Sequence, residues 1–300
     1  MITKEATEVA PTPVSVPTAS EQRPRGGKNR AWDEAPRWQI YLPLSIYLVF
    51  TLIPFYWILL FALRPAGSTS LVPWPMTFEH FEKVWTDRSF GTYFQNSLLV
   101  GVATLLMTTV VALAGGYALA RFDFKVKRAF MLALLCSQFV PGALLLVPLF
   151  EIFAELQMIN SLTSVIIAET VFQLPLSMIL ISNFIKNVPY SLEEAAWVDG
   201  CNRFTAFRIV VLPLLRPGLI AVGSFAFVHS WNHFLFALMF LNNQSKQTIP
   251  VGLNTLMSAD SVDLGALAAG GIIAAVPVVL VFAFIQKWLI TGFSAGAVKG

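Results

Sequence analysis

His229 and His233 stand four residues apart in His229-Ser230-Trp231-Asn232-His233, the spacing with which one face of a helix can hold a zinc ion. A helical zinc-protease pattern needs glutamate directly after the first histidine. Ser230 occupies that place and no third ligand accompanies the pair, so no metal site is expected. The plainer reading is two polar side chains on the bundle-facing side of a helix. Glu169 is the next residue with chemistry to offer. A carboxylate in an apolar run faces a bundle or a wet cavity, and is a candidate functional site by default. Its place near one end of the run favours a simpler outcome, snorkelling to water.

A third pattern spans Ser191 to Pro213. Ser191-Leu192-Glu193-Glu194 has the form of a capping box, with Ser191 capping a helix and Glu194 reaching back to it. Leu192, Ala195 and Ala196 follow on one face, then Asp199, and Gly200 stands where the helix should stop. A second short helix is expected from about Asn202 to Leu212. It carries Arg203 and Arg208 and stops at Pro213, with Pro217 opening the next element. Two short helices meeting at a glycine make a rigid knob. The alanines keep one face flat, so a partner can approach closely. Cys136 and Cys201 form no disulfide framework and lack metal-site spacing.

The elements that position these residues are membrane helices. The chain has 300 residues, 56% hydrophobic and 12% charged, with a mean hydropathy of +0.68. A soluble domain is about a quarter charged. Soluble folds cannot hide so much apolar surface. Charge-free windows run from Trp38 to Leu63, Ser89 to Ala120, Ala129 to Phe150, Pro217 to Ser245 and Leu264 to Gln286. Each is long enough for the ~20 apolar residues of a spanning helix. Leu162 to Ile185 makes a sixth, because ten Leu, Ile, Val and Phe residues outweigh Glu169. The reading is therefore an all-α membrane protein with six transmembrane helices. Residues 1–37, proline-rich and basic, read as a disordered tail. A six-helix transmembrane domain over 38–291 follows, with the patterned loop at about 186–217 and a short tail at 292–300.

An even number of spans puts both termini on one side. All of the 20 basic residues except Arg64, Lys83, Arg88 and Lys246 fall on that side, which the positive-inside rule makes cytoplasmic. On the other side, Thr77 to Trp85 reads as a short surface helix capped by Thr77, with Phe78, Phe81 and Trp85 on one face. Asn242 to Asp263 reads as an outer loop. Ala112, Ala114, Gly115, Gly116 and Ala118 form a small-residue face for close helix packing. Pro141 and Pro175 are candidate kinks.

Glu194-Ala195-Ala196, three residues, Gly200, nine residues and Val210-Val211-Leu212-Pro213 resembles the EAA motif of ABC importer permeases, with Val210 where the family has Ile. Asn96-Ser97-Leu98, the run Gly116 to Phe122, Ser230-Trp231-Asn232 and the run Gly292 to Gly300 are similar to the carbohydrate-importer, MalG-like branch. Residues 1–36 lie outside the resemblance. The resemblance implies a bacterial or archaeal plasma membrane and a second, MalF-like permease subunit. It also implies a pair of ATPase subunits and an extracytoplasmic solute-binding protein. ATP and Mg would sit on the ATPase, and no nucleic acid would be involved beside membrane lipid.

The same resemblance makes the loop a coupling helix that sits in a groove of an ATPase subunit. The residues concerned are Ser191, Glu194, Ala195, Ala196, Asp199, Gly200, Arg203, Arg208, Leu212 and Pro213. The chain has no G-x-x-x-x-G-K-[ST] phosphate loop, so a non-catalytic subunit is expected. Gln138, Glu169, Gln173, Asn232 and His233 are candidates for the translocation path. Gln138, Gln173 and Asn232 could equally bond sugar hydroxyls or neighbouring helices. The alternative of another class is a self-contained transporter driven by an ion gradient, with Glu169 and the histidines as its relay.

Overall fold

A computed structural model of the chain describes residues 37–86, 89–257 and 262–297; among them it contains helices, turns and loops and no strand. The expected N-terminal tail, apart from Arg37, and residues 298–300 lie outside the described residues. The chain divides into two units, Met1–Ile53 and Pro54–Gly300. Helix α1 (Arg37–Leu63) begins in the first and ends in the second. From Trp38 to Leu59 it exposes apolar side chains on every face. Such a surface is stable only against lipid or another protein.

The second unit is organised around α3 (Phe90–Arg121), which contributes to all three apolar clusters of the interior. Toward its N-terminus, Phe90 and Tyr93 pack with Phe227, Trp231 and Ile249. Val100 then meets Phe153, Val165, Ile166, Phe236 and Phe240. At its far end, Ala112 packs with Ile181, Ile185, Val211, Leu215 and Val222. Its principal neighbour is α6 (Leu162–Lys186). Gly116 makes that approach possible: a methyl group there would lie 2.7 Å from Ile181 Cγ2 and 3.1 Å from the Met178 carbonyl. Of the expected small-residue face, Ala112, Gly115 and Gly116 pack against neighbouring side chains, whereas Ala114 is exposed.

Among the described residues, four helices are long and apolar enough to span a membrane, and two bent pairs raise the number to six. The bends interrupt two of the spans, one of them at the candidate kink Pro141. The third comprises α4 (Lys127–Ser137), a 3-10 turn at Gly142–Leu145 and α5 (Leu146–Glu155), bent by 94°. Pro141 sits at the break with extended ψ of 125°, lacking the N–H needed to continue the ladder. Pro175, by contrast, lies inside an unbroken α6. The fifth window breaks as well. Helix α10 (Arg216–Asn232) ends at His233, whose ψ is 123°, before a short helix at Leu235–Phe240. No proline causes this break.

The loops hold further differences. Pro213 does not stop the second loop helix. Helical turns at Arg203–Ala206 lead through a π turn at Phe207–Val211 into Leu212–Leu214, and the 74° bend falls between Leu214 and Arg216. Pro213 cannot donate to the Ile209 carbonyl, and the wider turn absorbs that lost bond. The segment from Asn242 to Asp263, expected as an outer loop, contains a helix, Ile249–Met257. The last helix, Leu264–Ala297, runs well beyond residue 291. The expected surface helix forms at Glu79–Thr86, and Thr77 Oγ1 accepts from the Glu79 amide at 3.2 Å. Its buried residues are His80 and Val84 rather than its aromatics.

Candidate coupling loop and intramembrane polar site

The loop helix α7 (Tyr190–Val198) starts from Pro189, and no side chain caps it. The expected capping box between Ser191 and Glu194 is therefore absent, and both residues are exposed. The helix turns the preceding glutamate inward instead. Glu193 is completely buried, and its Oε1 accepts from Arg121 Nε at 2.6 Å while Oε2 accepts from the Tyr117 hydroxyl at 2.8 Å. Arg121 Nη2 also donates to the Val188 carbonyl at 2.9 Å, and its guanidinium lies 5.3 Å from the Tyr190 ring. The last turn of α3 is thus bolted to the start of the loop. Sequence reasoning missed Glu193. Its signal was the helical phase, which places it with Ala196 on the buried face.

Gly200 forms the elbow as expected, with φ of 90°. The Gly200 amide donates to the Trp197 carbonyl at 3.0 Å and the Cys201 amide to the Ala196 carbonyl at 2.9 Å. These two bonds define a Schellman end, which requires a left-handed residue. Asn202 opens the next turn by accepting from the Thr205 amide at 2.7 Å. Arg203 lies over the Trp197 ring at 5.4 Å and braces the elbow. Ala196 faces the bundle, whereas Leu192, Glu194, Ala195 and Asp199 are exposed. The most exposed apolar side chains here are Val198 at 87% and Phe204 at 73%. Such residues on a stiff projection are candidates for an interaction surface.

Deeper in the bundle, Glu169 does not snorkel; it is 1% exposed. Its Oε1 lies 2.7 Å from His233 Nδ1 and its Oε2 3.4 Å from His229 Nδ1. These are close polar contacts rather than aligned hydrogen bonds, since neither Oε2 nor His233 Nδ1 forms one. The two imidazoles stack with centroids 5.4 Å apart, and His233 packs on Phe236 at 4.6 Å. A cavity of about 190 Å³ adjoins them, bounded by Ser137, Gln138, Gly142, Phe172 and Phe236. A second, more open hollow of about 320 Å³ shares both histidines and adds Phe225 and Asn232. Gln173 lies one turn from Glu169, buried, with neither amide atom hydrogen-bonded. Asn232 donates to the Val228 carbonyl at 2.8 Å. The structure thus gathers Gln138, Glu169, Asn232 and His233 around two adjoining hollows, and joins His229 to them.

The family described as the binding-protein-dependent transport system inner membrane component matches residues 111–294. A diacetylchitobiose uptake system permease protein, DasC of Streptomyces coelicolor, is 36% identical over 262 residues, 86% of this chain and 94% of that protein. The inner membrane ABC transporter permease protein YcjP of Escherichia coli is 33% identical, with 87% and 95% covered. The trehalose transport system permease protein SugB of Mycobacterium tuberculosis is 30% identical, with 85% and 95% covered. A solved bacterial importer of the polysaccharide alginate has the same fold. Its TM-score is 0.71 at 20% identity, over 84% of this chain and 98% of that one. The chain belongs to this family. It is a multi-pass, non-catalytic permease of a binding-protein-dependent ABC importer, in which ATP is hydrolysed by a separate subunit. A self-contained gradient-driven transporter finds no support.

Two residues of the permease that carried only resemblance acquire a physical role. Asn96 Nδ2 donates to the carbonyls of Ser245 and Gln247 at 3.0 and 2.9 Å, and Ser97 Oγ accepts from the Ile249 amide at 2.8 Å. They fasten the segment between the fifth and sixth spans onto α3. Lys246 Nζ adds a bond to the Asn160 carbonyl at 2.7 Å. Residues 242–246 remain exposed on this fastened base. Asp263 caps the last helix through the Ala266 amide at 3.0 Å and pairs with Lys83 Nζ at 2.9 Å. Burial alone would raise the Asp263 pKa, but the Ala266 amide and the Lys83 ammonium outweigh it and hold the carboxyl below its ordinary value.

Proposed function

We propose that this permease imports a saccharide, with both termini in the cytoplasm of a bacterial or archaeal cell. Its partners would be a second permease subunit, a pair of ATPase subunits holding ATP and Mg, and an extracytoplasmic solute-binding protein. The relatives support the substrate class, since they include permeases of uptake systems for diacetylchitobiose and trehalose. The observation that carries the coupling role is the joint between the loop and α3. Val198 and Phe204 stand exposed on the knob while Glu193, buried beneath it, is held by Arg121 and Tyr117. A push on the exposed face of a fastened lever reaches the spanning helix without dissipating in a flexible hinge. Glu194, Ala195, Asp199 and Arg208 would meet the ATPase, and Gly200 would keep the two arms of the lever at their angle. Residues 242–246 would face the binding protein.

The test separates docking from folding. Glu194 caps nothing, so Glu194→Ala and Val198→Asp should leave membrane abundance unchanged. Both should weaken co-purification of the ATPase and lower uptake of radiolabelled diacetylchitobiose or trehalose. Normal ATPase retention with normal uptake in both variants would remove the coupling assignment.

A further inference from the structure

The cavity beside Glu169 has the chemistry of a sugar-ring pocket. Ser137, Gln138, His229 and His233 supply its polar wall, while Phe172 and Phe236 supply aromatic surface. Neutral sugars are held by that pairing of a few placed hydrogen-bonding groups with aromatic faces. At about 190 Å³ the cavity falls below the ~300–1,000 Å³ typical of clefts for drug-sized ligands. It suits one ring, not a whole oligosaccharide. Two of the three elements that border it are broken there, at Pro141 and at His233, while α6 runs past it unbroken. Irregular backbone at membrane depth is tolerated where it lines a cavity.

Glu169 gives the pocket its orientation. Both Nδ1 atoms face its carboxylate, so Nε2 is the nitrogen that each imidazole has left for a ligand. The carboxylate itself is 1% exposed and offers no surface.

We propose that this cavity receives one ring of the transported saccharide during passage. Gln138 and the two Nε2 atoms bond ring hydroxyls, Phe172 and Phe236 cover an apolar face, and Glu169 is a positioning residue for the imidazoles. The proposal rests on the carbohydrate reading above.

The experiment uses the whole transporter, reconstituted with its partner subunits and binding protein, and carrying Cys136→Ser and Cys201→Ser. Ser137→Cys then reports access to the cavity through its rate of labelling by a methanethiosulfonate reagent. The probes are diacetylchitobiose and trehalose. The probe that is taken up should slow labelling about tenfold when present at about ten times its Kd, since only the unliganded fraction reacts. Gln138→Leu, at an exposed position, should abolish that protection, as should His233→Leu, while His233→Gln keeps part of it. Glu169→Ala should abolish it too, and Glu169→Gln should restore part, a rescue that a merely structural role would not show. Labelling unaffected by a sugar that is taken up would overturn the pocket and leave the carbohydrate reading standing. Protection that survives both leucine variants would overturn it as well. Uptake of neither probe, nor of any other saccharide, would overturn the carbohydrate reading itself.

Discussion

Glu193 and Glu169 are both buried carboxylates held by side chains from other helices, yet they are finished differently. Glu193 has each oxygen in a short, aligned hydrogen bond, one from Arg121 and one from Tyr117. Glu169 touches two imidazoles, but Oε2 forms no aligned bond and hollows adjoin both histidines. A saturated buried network rigidifies, because every alternative arrangement leaves a charge unpaired. An incompletely paired one keeps valence and room for a different partner. The first is the build of a joint and the second that of a site.

The comparison is broken or sharpened first at the joint. Arg121→Ala strands a buried carboxylate and should cost about 3–5 kcal/mol. The expected result is a large drop in the thermal midpoint of the purified permease and in its membrane abundance. Replacing both partners with apolar residues, Arg121→Met with Glu193→Leu, should recover most of that loss. If Arg121→Ala leaves the melting curve unmoved, Glu193 is not a joint.

A smaller effect is expected at Gly200. A methyl group there would meet nothing within 4 Å, so the cost of Gly200→Ala comes from positive φ alone, about 1–2 kcal/mol. Gly200→Asn, which tolerates that conformation, should recover much of it in the same melting assay. Equal losses for alanine and asparagine would mean that the elbow is held by something other than backbone geometry.

Glu169→Gln should change stability by only about 1 kcal/mol, since the amide can still bond an imidazole. Its uptake should nevertheless fall clearly. A stability loss matching that of Arg121→Ala would erase the distinction between the two carboxylates.

The smallest effect belongs to Asp263. Its pKa is lowered, so its charge contributes stability in full above the ordinary value of 3.8, and loses it as pH falls through the lower folded value. Asparagine caps a helix about as well, so Asp263→Asn removes the charge alone. The two proteins should differ by about 0.5 kcal/mol at neutral pH, the scale of a partly exposed ion pair. Melting curves should converge below the carboxylate range. A difference that grows on acidification would contradict the pairing with Lys83.

Much of the arrangement was legible without coordinates. The apolar windows give the helices their approximate limits, because lipid forces backbone groups to bond within a helix. The small residues around Gly116 disclose a close helix contact. Gly200 betrays the elbow, since a left-handed helix end suits glycine and few other residues. The EAA spacing marks the loop for which the coupling role is proposed. Pro141 supplies a local cause for the break in the third span.

What the sequence could not decide is phase and partnership. Glu193 and Glu194 are adjacent and identical in type, and about 100° of helix separates their directions. The packing of the loop beneath α3 decides that Glu193 is the buried one, and the capping pattern, which concerned Ser191 and Glu194, did not reveal it. The break at His233 has no proline or glycine to announce it. It accompanies contacts with Glu169 and Phe236, whose significance appears only in the folded bundle. Glu169 itself reads as an interfacial carboxylate until α10 is placed beside α6. Backbone preferences and lipid act on each segment by itself, so the sequence alone determined the spans and the elbow. Burial and pairing depend on groups far apart in the chain, so only the tertiary structure determined which carboxylate became the joint and which became the site.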